Sequence, residues 1–220
     1  MSHIGTGTDT GTDIGTGTDI GTDTGPTAPD LGAQAGIVAR LAAGVRDDRL
    51  ADGTPCPAYA VRNLLGHLAG LAVAFRDAAR KDFGPTTDTP PDGIPDVGPG
   101  WREELPRVLD ELAAAWREPA ARTGMTRAGG IDLPAEVAAA VAVDELVVHG
   151  WDLARATGQD YVPDPAALRA SHAFLLAAAE DPTGGGGIFG PVVPVPPDAP
   201  LLDRTVGLSG RDPSWTPGRA

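Results

Sequence analysis

The run Val137-Ala-Ala-Ala-Val-Ala-Val143 is apolar on every side and passes directly into Glu145-Leu-Val-Val-His149. A stretch with no polar face belongs to a helix buried around its whole circumference. This one carries a carboxylate and an imidazole into the interior. Four residues advance an α-helix by about one turn, so Glu145 and His149 share a face. Ionisable groups in a core are costly unless each is paired or coordinates something. The spacing suits a core histidine bonded to a neighbouring carboxylate. It also admits a divalent metal ion, which satisfies both groups at once if another helix adds a third ligand. His67, at the centre of the apolar run Val61–Leu71, is the candidate for that third ligand.

Composition narrows the setting. The chain has 220 residues and a hydrophobic fraction of 41% with only 5% aromatic, so its core is built mainly from Ala, Leu and Val. That favours close helix packing over a β-sandwich. A formal net charge of −13 argues against a nucleic-acid partner and against an anionic membrane surface. Cys56 is the sole cysteine, which excludes an internal disulfide and fits a reducing compartment. No apolar run is long enough to span a membrane. The expectation is a soluble cytoplasmic protein, monomeric or homodimeric.

Residues 1–30 are a low-complexity run of Gly, Thr, Asp and Ile, in which Ile4-Gly-Thr-Gly-Thr-Asp recurs from Ile14. With no basic start and no apolar stretch, the run does not read as a signal peptide. It lacks the regular hydrophobic spacing of calcium-binding glycine-rich repeats. Too little apolar surface is available to offset ordering entropy, so a disordered tail is expected. Residues 31–215 are expected to form one domain, large enough for a proper core.

Helical periodicity predicts four long helices: Leu31–Leu50, Ala60–Asp82, Trp101–Glu118 and Pro134–Thr157, the last stopped by Gly158. Thr54-Pro-Cys-Pro57 cannot continue a helix, and the Pro/Thr/Asp/Gly-rich segment Gly84–Gly100 reads as a surface connection. Ala121–Asp132 reads as irregular, and no strand pattern stands out. Further helices over Pro165–Ala179 and Leu201–Ser209 are expected to pack on the outside, separated by Gly184–Gly187 and an extended proline-rich crossing. The fold class is therefore all-α, a four-helix bundle with extra C-terminal helices. Such bundles build metal sites from facing inward side chains.

Two segments carry a family resemblance: Thr54-Pro-Cys-Pro-Ala-Tyr-Ala-Val-Arg-Asn-Leu-Leu-Gly-His67 and Asp144-Glu-Leu-Val-Val-His-Gly-Trp-Asp-Leu-Ala-Arg-Ala-Thr-Gly158. Phe189-Gly-Pro and Gly210-Arg-Asp-Pro213 add to it. The chain resembles the DinB/YfiT-like family of metal-binding four-helix bundles, in particular its actinobacterial branch related to mycothiol-dependent maleylpyruvate isomerase. The resemblance implies a metal held by His67, Glu145 and His149, the three residues reached above from burial and spacing. It also implies, less directly, chemistry on a low-molecular-weight thiol such as mycothiol. Characterised isomerases of that branch carry a further α/β domain for which this sequence leaves no length, so their substrate specificity is not expected to carry over.

Three N/O ligands leave a coordination position open, and two imidazoles with one carboxylate suit Zn²⁺, with Fe²⁺ or Ni²⁺ as alternatives. Asp152, three residues beyond His149, is placed either to orient that imidazole or to sit solvated on the helix surface. Gly150 in mid-helix implies close approach of a neighbour or ligand. Trp151 reads as core or cleft wall, His172 as a buried structural histidine, Cys56 as structural, and Arg211 as half of a turn-stabilising salt bridge. The expected activity is a metal-dependent thiol S-transferase or isomerase-like reaction on a small electrophile. A metal-dependent hydrolase and a non-catalytic metal-stabilised bundle are the alternatives.

Overall fold

A computed structural model describes residues 29–90, 93–180 and 190–218. The expectations for the tail up to residue 28, for Gly184–Gly187 and for Phe189 lie outside the described residues. Four helices form the bundle: α1 (Gly32–Ala43), α2 (Val61–Arg80), α4 (Trp101–Arg117) and α5 (Ala135–Thr157), with a single-turn helix α3 (Pro85–Asp88) in the connection between α2 and α4. Packing runs round a ring in the order α1, α4, α2, α5, so helices consecutive in the bundle's sequence, α1 and α2, face each other diagonally. The α1–α2 connection must therefore cross one end of the bundle. This is an all-α four-helix bundle with a small hairpin. The helix α6 (Pro165–Glu180) lies on α5, and α7 (Leu201–Leu208) lies on α6, which encloses α5 from a third side.

That enclosure is why α5 could be apolar all round. Its buried residues run from Ala135 to Ala156 and include Asp144, His149 and Asp152. Leu64, Leu68, Leu109, Leu112 and Leu146 are fully buried between the facing helices, with Trp116. Each such side chain contributes roughly 1.5–3 kcal/mol relative to exposure, and α5 gains this on nearly every side. Gly158 closes α5 in the left-handed conformation (φ 71°), its N–H bonding to the Ala154 carbonyl.

Two expectations are corrected. The first helix ends at Ala43 rather than Leu50: Gly44 caps it, and a 3₁₀ turn over Asp47–Arg49 replaces the expected last turns. Arg102 Nη2 donates to the Val45 carbonyl at 2.8 Å, satisfying backbone that continued helix would have used. The segment expected to be irregular holds an antiparallel hairpin, β1 (Met125–Ala128) and β2 (Ile131–Pro134), turning at Gly129-Gly130 with φ of 59° and 77°. Two consecutive positive φ values are what a tight two-residue hairpin needs, and glycine provides them without strain. The strands are too short for a period-two pattern to show. The hairpin is tied to α2 by Thr126, whose hydroxyl donates to the Ala78 carbonyl.

Candidate functional site

Three polar side chains meet in the apolar space between α2 and α5. Glu145 and His149 project one turn apart from α5, and His67 projects from the middle of α2. Glu145 Oε2 lies 3.0 Å from His149 Nε2 and 3.3 Å from His67 Nε2. The two imidazole rings are edge-to-face, with centroids 4.8 Å apart. One ligand atom from each of the three side chains lies within 4.8 Å of the others.

The surrounding contacts orient these groups. Asp152, fully buried one turn beyond His149, places Oδ2 2.9 Å from His149 Nδ1. An ionised carboxylate only accepts, so Nδ1 carries the proton and Nε2 is the nitrogen left for other chemistry when the ring is neutral. The same Oδ2 receives Arg211 Nη2 at 3.2 Å. The Tyr59 ring packs against His67 with centroids 5.4 Å apart.

Burial disfavours charge on Glu145, but hydrogen bonds from His149 and His67 outweigh it and hold its carboxyl well below the usual range. His149 shows the complementary balance. Burial opposes its protonation, yet hydrogen bonds to Asp152 and Glu145 raise it to about 9. An ion that takes up Nε2 competes with a proton for that nitrogen.

The donor set fits a divalent ion. Ligands at roughly 2.0–2.2 Å in tetrahedral array stand about 3.3–3.6 Å from one another. The two donor separations from Glu145, at 3.0 and 3.3 Å, need little rearrangement to reach that spacing. Two imidazoles and a carboxylate, with the far nitrogen of one imidazole bonded to a further carboxylate, are the donors and the outer support that zinc sites use.

Residues 31–154 match the profile of the mycothiol maleylpyruvate isomerase N-terminal domain, more than half of the chain. The chain belongs to this family. Two relatives are 28% identical over 175 residues, 79% of this chain and 91% of theirs: the uncharacterized proteins MT0763 and Rv0738 of Mycobacterium tuberculosis, from strains CDC 1551 and H37Rv. Crystal structures of the mycothiol-dependent maleylpyruvate isomerase and of one of its mutants align at 18% and 17% identity with a TM-score of 0.45. The alignment covers 66% of this chain, and this chain spans 66% of the length of those isomerase chains. All the residues of the cluster around Glu145 except Arg211 fall inside the family match.

Several neighbours of the site were not legible in the sequence. Arg211 pairs with Asp152, not with a residue of its own turn. Tyr59 precedes its helix and gave no periodic signal. Asp144, buried beside Glu145, accepts from Ser171 Oγ of α6 at 2.6 Å, and burial raises its carboxyl to about 7. Gly150 is explained by Tyr161, from the loop after α5, whose ring covers the helix where a side chain would stand. His172 is corrected: it is half-buried on α6, 3.3 Å from Thr205 Oγ1. Helix α6 buries Ala167, Ser171 and Leu175. Trp151 is buried, as a core or cleft-wall residue is. Cys56 lies half-buried in the α1–α2 connection; burial pushes its thiol up, Asp152 adds to this and Arg211 opposes it. Among the described residues no helix is long and apolar enough to cross a membrane.

Proposed function

We propose that residues 31–215 form a metal-dependent enzyme unit that activates the thiol of a small cofactor such as mycothiol and adds it to a small electrophilic substrate. In this reading His67, Glu145 and His149 hold the ion, Zn²⁺ before Fe²⁺ or Ni²⁺. The observation that carries it is the convergence of two Nε2 atoms from different helices on one half-buried carboxylate oxygen. A solely structural zinc site takes four protein ligands, and the cluster among the described residues offers three. When bound, the ion supplies Lewis-acid stabilisation of a thiolate and so lowers the pKa of the thiol.

The chain's own residues prepare that chemistry. Asp152 accepts from His149 Nδ1 and directs Nε2 into the site. Glu145 is held ionised by its two imidazole neighbours, which gives the site one fixed negative charge for a cation. Tyr59 bounds the site beside His67, and its aromatic face limits water on that side. The apolar walls of α2 and α5 lower the local dielectric and strengthen each of these interactions. The thiol loses its proton to solvent, its sulfur adds to a carbon conjugated with a carbonyl, the carbon–carbon π bond opens onto the carbonyl oxygen, and that oxyanion takes a proton from solvent. An isomerase-like outcome follows if the adduct rotates and expels the thiol again.

Membership of the mycothiol isomerase N-terminal family supports the thiol part of this reading. The acidic balance of the chain supports a small-molecule partner over nucleic acid, and a cytoplasmic setting suits a lone reduced cysteine. The test is metal analysis of the purified protein followed by thiol consumption with mycothiol and simple electrophiles. Stoichiometric metal and metal-dependent thiol loss are expected. Turnover that is unchanged without any thiol would reassign the site to metal-dependent hydrolysis.

A further inference from the structure

We propose that Arg211 is a positioning residue for the metal centre: it fixes Asp152, and Asp152 in turn fixes the His149 ring. The inference rests on the metal reading above and adds to it a residue from the C-terminal segment, outside the stretch that matches the family.

The geometry is a chain of single contacts. Helix α7 ends in a turn at Gly210, whose φ is 82° and whose added Cβ would stand 2.9 Å from the backbone of Gly190. Only a residue without a side chain lets the two strands of backbone approach so closely. The Arg211 N–H then bonds to the Val206 carbonyl at 2.9 Å, and Nη1 donates to the Ser209 carbonyl at 2.8 Å. With its backbone and one guanidinium nitrogen anchored to α7, the side chain has one remaining direction, toward α5. There Nη2 reaches Asp152 Oδ2 at 3.2 Å.

Asp152 needs that contact. It is fully buried, and its other oxygen, Oδ1, has no hydrogen-bond partner among the described residues. The donors to the carboxylate, His149 Nδ1 and Arg211 Nη2, both bond to Oδ2. The terminal torsion of an aspartate is broad and nearly two-fold, so one donor alone sets the carboxylate plane poorly. A second donor from a rigid, planar guanidinium sets it well. Arg211 also adds a positive charge to a fully buried carboxylate whose other partner is the His149 ring. The ring orientation of His149, and through it the direction of Nε2, thus depends on a side chain 59 residues from Asp152 in sequence.

The experiment uses the full chain and Co²⁺ as probe, with affinity read by chelator competition and geometry by the visible absorption of the bound ion. Asp152→Asn should weaken Co²⁺ binding about 10–100-fold and Arg211→Gln about 10-fold, the range seen for partners that orient metal ligands. The double variant should bind no worse than Asp152→Asn, because both substitutions break the same contact chain. Arg211→Lys should fall between wild type and Arg211→Gln, and both should shift the Co²⁺ spectrum. A residue that merely staples α7 would lower the melting temperature and leave affinity and spectrum alone. Wild-type affinity in Arg211→Gln, or a double variant that loses the product of the two single losses, overturns the proposal. If Arg211→Gln does not fold, Arg211→Lys and its double with Asp152→Asn carry the same comparison. A wild-type chain that binds no Co²⁺ or Zn²⁺ overturns the metal reading itself, and this inference with it.

Discussion

A Cβ built on Gly150 would stand 3.0 Å from the hydroxyl of Tyr161 and 3.1 Å from its ring. Tyr161 cannot yield easily: its hydroxyl donates to the Val147 carbonyl at 2.7 Å and accepts from Gln34 Nε2 at 2.9 Å. Gln34 is itself buried, and bonds the Leu146 carbonyl and the Asp164 N–H. One glycine on α5 therefore admits the residue that links α1, α5 and the start of α6.

Gly150→Ala should accordingly destabilise the protein despite alanine's better helix propensity. Propensity favours the change by about 1 kcal/mol, while forcing a methyl into a packed core costs about 1–3 kcal/mol. A net loss of roughly 1 kcal/mol is expected in denaturant melts. In combination with Tyr161→Phe, which removes the nearest atom, the two losses should add to less than their sum. A Gly150→Ala variant more stable than wild type would show that Tyr161 moves aside freely.

The three groups that meet between α2 and α5 should behave as one unit. His67→Ala, Glu145→Ala and His149→Ala are each expected to lose most bound metal and most thiol-consuming activity, as read by elemental analysis and initial rates. Cys56→Ser should keep activity, because burial raises its thiol away from the reactive range and the attacking sulfur belongs to the cofactor. A dead Cys56→Ser variant beside active ligand variants would falsify this mechanism.

Metal removal gives a prediction free of any substrate. An ion that binds only the folded chain stabilises it by about 2.7 kcal/mol at one hundred times its dissociation constant. Chelation should lower the melting temperature, and Zn²⁺ should restore it. His149→Ala should melt at the same temperature with and without Zn²⁺, so a variant that still responds to the ion would place its binding elsewhere.

Asp144 predicts a pH dependence. Its carboxyl is raised from 3.8 to about 7, by burial first. A folded-state value above the unfolded one means that the folded form holds the proton more tightly. The associated stability is fully present below about pH 4 and is lost as pH rises through 7. Wild-type stability relative to Asp144→Asn should therefore fall by a few kcal/mol between pH 4 and 7 and level off above. Parallel curves for the two proteins over that range would mean that Asp144 titrates normally.

The helices and the Glu145/His149 pair were legible in the sequence because both depend on local geometry. A 3.6-residue period sorts apolar from polar positions, and a four-residue step returns to the same face whatever the rest of the chain does. Gly158 and the prolines around Cys56 marked ends and breaks for equally local reasons, namely backbone angles and missing donors. The all-α class followed from composition and the helical period, and the candidacy of His67 from burial, since a polar side chain centred in an apolar run needs a partner. Which partner each group finds was decided by tertiary structure alone. His67 meets Glu145 across 78 residues, Arg211 meets Asp152 across 59, and Tyr161 covers Gly150 only because the chain turns back after Gly158. Such contacts depend on helix crossing, loop closure and side-chain packing, which no short-range period encodes. The hairpin at Gly129-Gly130 escaped notice for the opposite reason: four-residue strands are too short to display a period, and their pairing is held in place by α2.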